Sequence, residues 1–266
     1  GDDDILFVCK LADEAGALAI KLRAGVSIGT KTGPTDPVTS ADIALSELIV
    51  DELKRRFPDD LIVSEEDVRH PEKIENERVW FVDPIDGTDN YIKQNGQYSV
   101  MIGLLENEKP VFGVVFEPDR NTCYFGGPAF GAFKQTARKK PEKLFIDKVL
   151  ADSDTTRLMM GNRDRRKHPW VEELDSVDFF KTGSIGLKVA RILENQADLF
   201  VHLSGKLKVW DTAGPAAIAL AGGLEAGTLE HDQLRFPLPS VYHRSDVIMG
   251  RKGCLSWCRK HLSEPD

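Results

Sequence analysis

A predicted strand that runs directly into a short acidic turn is the feature that most constrains how this chain can fold. The apolar run 79–82 is typical of a buried strand. Asp83 follows it at once, and we expect Pro84, which has no N–H, to end the hydrogen-bond ladder there. Asp-Gly-Thr comes next, at 86–88. An ordinary Asp-rich turn is one interpretation; carboxylates, a flexible glycine and a hydroxyl at a strand end also suit a site for a hard cation and a phosphate.

A further acidic residue is expected in the first turn of a helix. Apolar side chains recur at every fourth position from 45 to 57, which predicts a helix with Thr39 or Ser40 as its N-cap. Pro58 is expected to end this helix. Asp42 therefore lies in its first turn, where the helix dipole favours a negative charge.

Two more acidic residues lie at predicted element ends. The apolar segment 61–63 predicts a short buried strand, and Glu65 follows it closely. Trp-Asp-Thr-Ala at 210–213 predicts the start of another helix at Asp211. Pro215 would then lie near the first turn, where its missing N–H does least damage.

The remaining periodicity predicts a layered α/β protein. Helices are expected at 5–22, 170–175, 184–195, 211–221 and 255–261, and strands at 98–105, 111–117, 123–125, 131–133, 157–160, 177–181, 198–201 and 247–249. Strand and helix alternate in the second half, which indicates α/β layers. The basic segment 138–143 is the candidate junction between two halves, although a solvated loop explains it equally well.

Composition limits the partners of the protein. The net charge of −8 argues against duplex nucleic acid and against an anionic membrane as partners. The four cysteines are scattered, which is typical of free thiols in a reducing compartment, and we expect a cytoplasmic protein. The sequence leaves open whether a targeting segment has been removed and whether the protein forms a homodimer.

The acidic motifs together resemble a known family. D-P-V-T-x-A-D at 36–42, S-E-E at 64–66, W-x-x-D-P-I-D-G-T at 80–88 and W-D-x-A at 210–213 are similar to the inositol monophosphatase superfamily of lithium-sensitive, magnesium-dependent phosphomonoesterases. The resemblance runs from about residue 11 to about residue 223. It implies a five-layer α-β-α-β-α sandwich of the sugar/inositol phosphatase type, with the active site between an α+β half, 1–140, and an α/β half, 141–266.

The resemblance also implies a set of metal ligands. Glu65, Asp83 and the carbonyl of Ile85 would hold one Mg²⁺ ion, Asp83, Asp86 and Asp211 would hold a second, and Glu65 would help a weaker third. Elementary electrostatics agrees, because each carboxylate pair about 5 Å apart repels by roughly 3 kcal/mol at an effective dielectric near 20. Oxygen ligands without His or Cys favour Mg²⁺ over Zn²⁺.

Catalytic and phosphate-binding roles follow from the same resemblance. Asp42 and Thr88 match the pair that orients and deprotonates the attacking water, and Glu65 is counted with them as catalytic. The backbone N–H groups of Gly87 and Thr88 would cradle the phosphate. Lys31 matches a lysine near the site in relatives, although a solvated loop lysine is equally expected.

The expected substrate is a small phosphorylated metabolite, but different motifs favour different metabolites. Gly-Gln-Tyr at 96–98 and Lys208 before the W-D-T-A block resemble the 3′(2′),5′-bisphosphate nucleotidases. Ser184, at a predicted helix start, could meet an anion. We therefore assign substrate binding to the following residues: Gly87, Thr88, Ser184, Lys208 and Asp211.

Other features favour different substrates. Asp-Asn-Tyr at 89–91 resembles the inositol enzymes, and Gly-Asn-Arg-Asp at 161–164 departs from the nucleotidase pattern. Hydrolysis of 3′-phosphoadenosine 5′-phosphate is the favoured prediction. The alternative reactions are hydrolysis of inositol 1-phosphate and hydrolysis of fructose 1,6-bisphosphate. The non-enzymatic alternative is a catalytically silent protein that binds phosphorylated ligands.

Overall fold

The structure is a computed structural model that describes residues 1–30, 37–151 and 155–262. Its α-helices are α1 (Asp2–Leu22), α2 (Ser40–Arg56), α3 (Thr88–Ile92), α4 (Asn162–Lys167), α5 (Ile185–Leu193), α6 (Val209–Ala221) and α7 (Cys254–His261). Its strands are β1 (Ile28–Thr30), β2 (Pro37–Thr39), β3 (Leu61–Ser64), β4 (Arg78–Asp86), β5 (Ser99–Glu106), β6 (Lys109–Glu117), β7 (Thr122–Gly127), β8 (Gly131–Thr136), β9 (Glu142–Leu144), β10 (Thr156–Met160), β11 (Val177–Phe179), β12 (Leu199–His202), β13 (Glu225–Gly227) and β14 (Val247–Gly250).

Two large sheets organise the molecule. The seven-stranded sheet has the order β3-β4-β5-β6-β7-β8-β9 and is antiparallel except for the parallel pair β3–β4. The five-stranded sheet has the order β11-β10-β12-β14-β13. In it β10 runs parallel to β11 and β12, and β14 runs antiparallel to β12 and β13. Strands β1 and β2 form a separate antiparallel pair.

Helices cover both faces of the seven-stranded sheet. Helices α1 and α2 pack on one face, and α5 and α6 pack on the other. Helices α5 and α6 also contact the five-stranded sheet, and α7 packs against β13 and β14 of that sheet. One hydrophobic cluster lies beneath α1 and α2, and a second fills the space around α5 and α6. The predicted layered α/β sandwich is confirmed.

Several local predictions were wrong, and each has a physical reason. Pro84 does not end β4, which continues to Asp86. Asp83 pairs with Met101 and Asp86 pairs with Ser99, so one extra residue of β4 is accommodated in a bulge. A bulge lets the strand pass a proline that cannot donate to the ladder.

Helix α6 begins two residues earlier than predicted, at Val209 rather than at Asp211. Pro215 therefore lies inside the helix and not in its first turn. Because proline has no N–H, it cannot donate to the carbonyl of Asp211, its partner four residues back. The predicted helix at 170–175 is a 3₁₀ turn, Pro169–Glu173, and α4 precedes it unpredicted.

The division of the chain into 1–140 and 141–266 stays a prediction. Strand β9 begins within the candidate junction and after residue 141, yet it pairs with β8 in the seven-stranded sheet. Within the described ranges, no helix is both long enough and apolar enough to cross a membrane.

Glycine residues allow α6 to approach the seven-stranded sheet closely. An added Cβ at Gly113 would lie 2.1 Å from the carbonyl oxygen of Gly214, and one at Gly103 would lie 2.3 Å from the Gly214 nitrogen. No ordinary side chain fits at either strand position. Asp211 is carried by the same helix, so this backbone contact sets the depth at which its carboxylate meets the sheet.

We expect Gly113→Ala to destabilise the protein by about 1–3 kcal/mol, the usual cost of forcing extra atoms into a packed core. The displaced α6 should also move the Asp211 carboxylate that it carries. Urea unfolding measures the stability, and Gly25→Ala is the matched control because its added Cβ meets nothing within 4 Å. Equal unfolding midpoints for the two variants would show that the contact is not tight.

Candidate active site

The bulge of β4 gathers three of the predicted metal ligands. Asp83 is 2% exposed and Asp86 is 8% exposed, and the intervening Ile85 is also buried. Asp83 Oδ1 is fully buried and has no hydrogen-bond partner. A buried carboxylate oxygen without a donor is costly unless a cation satisfies it.

Helix α2 presents Asp42 to the end of this strand. Thr39 is the N-cap, and Asp42 Oδ2 accepts hydrogen bonds from the Thr39 amide at 2.7 Å and from its hydroxyl at 2.6 Å. This capping box fixes the carboxylate. Its other oxygen, Oδ1, lies 3.2 Å from the hydroxyl of Thr88.

Gly87 and Thr88 turn the chain from β4 into α3. Gly87 has φ 92°, in the left-handed region that glycine adopts without strain. Thr88 is the first residue of α3, and its hydroxyl lies 3.2 Å from the carbonyl of Ile85 as well as 3.2 Å from Asp42. The predicted pair of Asp42 and Thr88 is thus in contact.

Asp86 is held by the N-terminus of α5. Its Oδ2 accepts hydrogen bonds from the Ser184 hydroxyl at 2.5 Å and from the Gly186 amide at 3.1 Å. Ser184 is the N-cap of α5 and also contacts the Ser99 hydroxyl at 2.8 Å. Ser184 is fully buried behind Asp86. Its assignment to substrate binding stays a prediction, and the contact that the structure shows is with a carboxylate.

Asp211 reaches the site from the first turn of α6. Its Oδ2 accepts a hydrogen bond from the backbone amide of Lys208 at 2.7 Å. The ammonium of Lys208 lies 5.4 Å from the ring centre of Trp210. Lys31 lies outside the described residues.

The carboxylates influence one another strongly. Burial raises the pKa of Asp83 well above its usual value, and the negative charges of Glu65, Asp86 and Asp211 raise it further. Burial, reinforced by Glu65, raises the pKa of Asp211 to about 8. Burial also raises the pKa of Asp86, opposed by the Ser184 hydrogen bond and by Lys188. Without a cation, this cluster therefore favours protonated acids.

The donor set fits a hard divalent cation, although the ligands are not yet arranged around one point. Within residues 1–30, 37–151 and 155–262, no three His, Cys, Asp or Glu side chains stand close enough to hold a metal ion as they are placed. Asp42, Asp86 and Asp211 accept protein hydrogen bonds instead. The mutual charge effects and the orphaned oxygen of Asp83 nevertheless suit an oxygen-binding ion such as Mg²⁺.

Comparison with known proteins identifies the family. The model of the inositol monophosphatase family matches residues 3–254. The chain belongs to the inositol monophosphatase family. It is 35% identical over 222 residues to the 3′(2′),5′-bisphosphate nucleotidase CysQ of Escherichia coli strain K12, covering 81% of this chain and 87% of that protein. Like other members, it is a phosphoric monoester hydrolase.

Solved structures agree on the fold. An IMPase of Thermotoga maritima superposes with a TM-score of 0.81 at 23% identity, covering 98% of this chain and 96% of that one. An IMPase/NADP phosphatase complexed with Mg²⁺ and phosphate superposes with a TM-score of 0.78 at 22% identity, covering 97% and 94%.

Lys188 is a member of the site that the motif analysis missed. Its ammonium donates to the carbonyl of Gly183 at 2.9 Å, and Asp86 and Asp211 are close enough to favour its charged form. Burial nevertheless holds the pKa of Lys188 below its usual value. The signal was present in the sequence, because Lys188 follows Ser184 by four residues and so shares its helix face.

A cavity of about 440 Å³ opens beside the acidic cluster. Asp89, Asn90, Gly183 and Lys188 connect it to the site. Its other walls are contributed by β10, α4 and the segment after β11: Met160, Gly161, Asn162, Arg165, Phe179, Phe180, Lys181 and Thr182.

The raised pKa of Asp211 predicts a pH dependence of stability. Between about pH 4 and about pH 8 the metal-free folded protein binds more protons at Asp211 than the unfolded chain does, so stability falls as pH rises through that window. Mg²⁺ needs deprotonated ligands, so its stabilising effect should grow over the same window.

Thermal unfolding in EDTA and in Mg²⁺, at about pH 5.5 and about pH 8, checks both expectations. Asp211→Asn should weaken the pH dependence, whereas Asp178→Asn, at an exposed position, should not. A metal-free protein that is more stable at the higher pH, with the same dependence in Asp211→Asn, would contradict the proposed burial of this acid.

Proposed function

We propose that the protein hydrolyses 3′-phosphoadenosine 5′-phosphate to AMP and phosphate, in a Mg²⁺-dependent and lithium-sensitive reaction with water as the nucleophile. The observation that carries this proposal is the contact of Asp42 and Thr88 beside a cluster of buried carboxylates. The similarity to CysQ supports the choice of substrate. The free and buried cysteines support a reducing location such as the cytoplasm.

Asp42 and Thr88 are suited to accept a proton from water. Since Asp42 Oδ2 is occupied by Thr39, its Oδ1 is the oxygen that faces Thr88. The Thr88 hydroxyl donates towards Asp42 Oδ1, which leaves its own lone pairs to accept a hydrogen bond from the attacking water. The proton of the water would pass to the Thr88 oxygen, and the Thr88 proton would pass to Asp42 Oδ1.

Glu65, Asp83, Asp86, Asp211 and the carbonyl of Ile85 would hold the metal. When bound, Mg²⁺, in about two or three ions per site by family resemblance, supplies charge that offsets the carboxylates and polarises the phosphoryl group. The backbone N–H groups of Gly87 and Thr88, at the start of α3, would bind the phosphate oxygens.

The adjoining cavity favours a nucleotide over inositol. Phe180 offers apolar aromatic surface of the kind on which a base stacks. The Arg165 guanidinium lies 3.7 Å from the ring centre of Phe179 and is held there by Glu172 through two hydrogen bonds of 2.6 Å. Lys181 and Lys188 add positive charge for a second phosphate. An inositol ring has no aromatic face to use such walls.

Thr88→Ala should lower kcat by about a hundredfold to ten-thousandfold, the range expected for loss of a proton-transfer group. Mg²⁺ affinity should change little, because the Thr88 hydroxyl is not among the proposed ligands. Steady-state phosphate release and Mg²⁺ titration calorimetry separate the two effects. Thr30→Ala, at an exposed position on β1, is the matched control. Loss of Mg²⁺ binding with an unchanged rate per metal-loaded enzyme would exclude Thr88 from proton transfer.

A substrate panel tests the proposed reaction. The protein should release phosphate from 3′-phosphoadenosine 5′-phosphate with a higher kcat/KM than from inositol 1-phosphate or fructose 1,6-bisphosphate. Activity should disappear in EDTA and fall in LiCl relative to KCl at equal ionic strength. A preference for inositol 1-phosphate would reassign the protein to that alternative, and no turnover of any substrate would favour the silent phospholigand-binding protein.

Variants of basic residues refine the same test. Lys181→Ala should reduce kcat/KM for the bisphosphate about ten- to a hundredfold, as expected for one charge-assisted contact, and should affect monophosphates little. Lys208→Ala tests the sequence-based assignment in the same way. Lys167→Ala removes an exposed lysine that does not line the cavity and is the control.

A further inference from the structure

A second polar cavity lies at the opposite end of the strands that border the substrate cavity. Its volume is about 280 Å³, and its walls include Lys148, Thr155, Arg157, Asp198 and Arg251. It lies where β10 and β12 begin and β14 ends, whereas the substrate cavity contacts the other end of β10. Arg157 lines this cavity and Met160 lines the other, three residues further along β10 and so roughly 10 Å away.

Arg157 is held rigidly in this cavity. Its Nε and Nη2 donate to the two oxygens of Asp198 at 3.0 and 2.8 Å, and its Nη1 donates to the carbonyl of Asn195 at 2.6 Å. The guanidinium is therefore a fixed fork of donors, with an Nη1 hydrogen left over after these bonds.

Arg251 shares the same carboxylate. Its Nη2 donates to the side chain of Asn195, and its Nε lies 2.7 Å from Asp198 Oδ1. The Nε–H does not point towards this oxygen well enough to form a hydrogen bond, so the Arg251 Nε is buried without a hydrogen-bond partner. Arg251 is only 2% exposed. One carboxylate thus serves two guanidinium groups, the buried Arg251 and the partly exposed Arg157, and this leaves the three side chains with an excess positive charge.

This local excess of positive charge contrasts with the net charge of −8 of the whole chain. A buried cation such as Arg251 is costly unless paired, and the N–H donors that Asp198 and Asn195 leave free suit the oxygens of a tetrahedral oxyanion. The volume lies below the range of about 300–1,000 Å³ that is typical of pockets for drug-sized ligands. A small inorganic ion therefore fits better than a nucleotide.

We propose that this cavity binds an inorganic tetrahedral oxyanion, phosphate or sulfate, at a site separate from the catalytic centre. Arg157 and Arg251 supply fixed donors, and Lys148, at the exposed mouth, adds a further positive charge. Binding at this site needs no metal ion, because its own walls are cationic.

The test uses the full chain in EDTA, where the catalytic carboxylates have no cation to attract phosphate. Amide chemical shifts are followed in an isotope-labelled sample while sulfate, and separately phosphate, replaces chloride at constant ionic strength. We expect saturable shifts at residues 148–150, 157, 198 and 251. Comparison of the two series shows whether one anion is preferred.

Two variants of similar chemistry locate the effect. Lys148→Gln should raise the dissociation constant at least about tenfold, the effect of losing one charge-assisted contact. Lys252→Gln removes a neighbouring lysine, 51% exposed and outside the cavity wall, and should change it less than about twofold. Both positions are at the surface, so both variants should fold.

Three results would overturn the proposal. They are shifts that never saturate, equal weakening by the two substitutions, and shifts confined to the surroundings of Asp83, Asp86 and Asp211. None of these measurements involves turnover, so their outcome does not depend on whether the bisphosphate is the substrate.

Discussion

Repulsion among buried carboxylates is the constraint on which the rest of this structure depends. Asp83, Asp86 and Asp211 come from a strand and a helix of different layers, and burial raises the pKa of each. The fold compensates with hydrogen bonds from fixed backbone amides. Asp86 accepts one from the Gly186 amide in the first turn of α5, and Asp211 accepts one from the Lys208 amide at the start of α6. Asp83 Oδ1 has no hydrogen-bond partner and is left for an added cation to satisfy, which couples folding to metal binding at this site.

Close packing gives this site its rigidity. The glycine contact between α6 and the seven-stranded sheet leaves no space in which the helix can slide. Gly186 also brings α5 close to the sheet, since an added Cβ there would lie 2.7 Å from the sulfur of Met101. Two helices are thus seated directly on the sheet, and each delivers polar groups to the carboxyl cluster. Catalysis by positioned groups requires such fixed geometry.

The sequence revealed the layers and the acidic cluster but not the details that depend on tertiary contacts. Hydrophobic periodicity predicted α1, α2, α5 and the central hairpin, because these elements are long and regular. It missed α4, which is short and polar, and it placed the start of α6 too late. The contact of Asp42 with Thr88 followed from family motifs. The walls of the cavity of about 440 Å³ beside the acidic cluster could not be predicted, because Arg165 and Phe179 meet only through the folding of the second half.

The bulge in β4 has a consequence for how this segment tolerates change. In a regular strand, residues three positions apart point to opposite faces, so Asp83 and Asp86 would be separated by the sheet. The extra residue of the bulge restores both carboxylates to one side. The number of residues between them is therefore as important as their chemistry. Deleting one residue between Asp83 and Asp86 would leave the two acids on one side of a regular strand, but it would remove the bulge and shift the Ile85 carbonyl. Side-chain replacement at position 84 or 85 keeps the bulge.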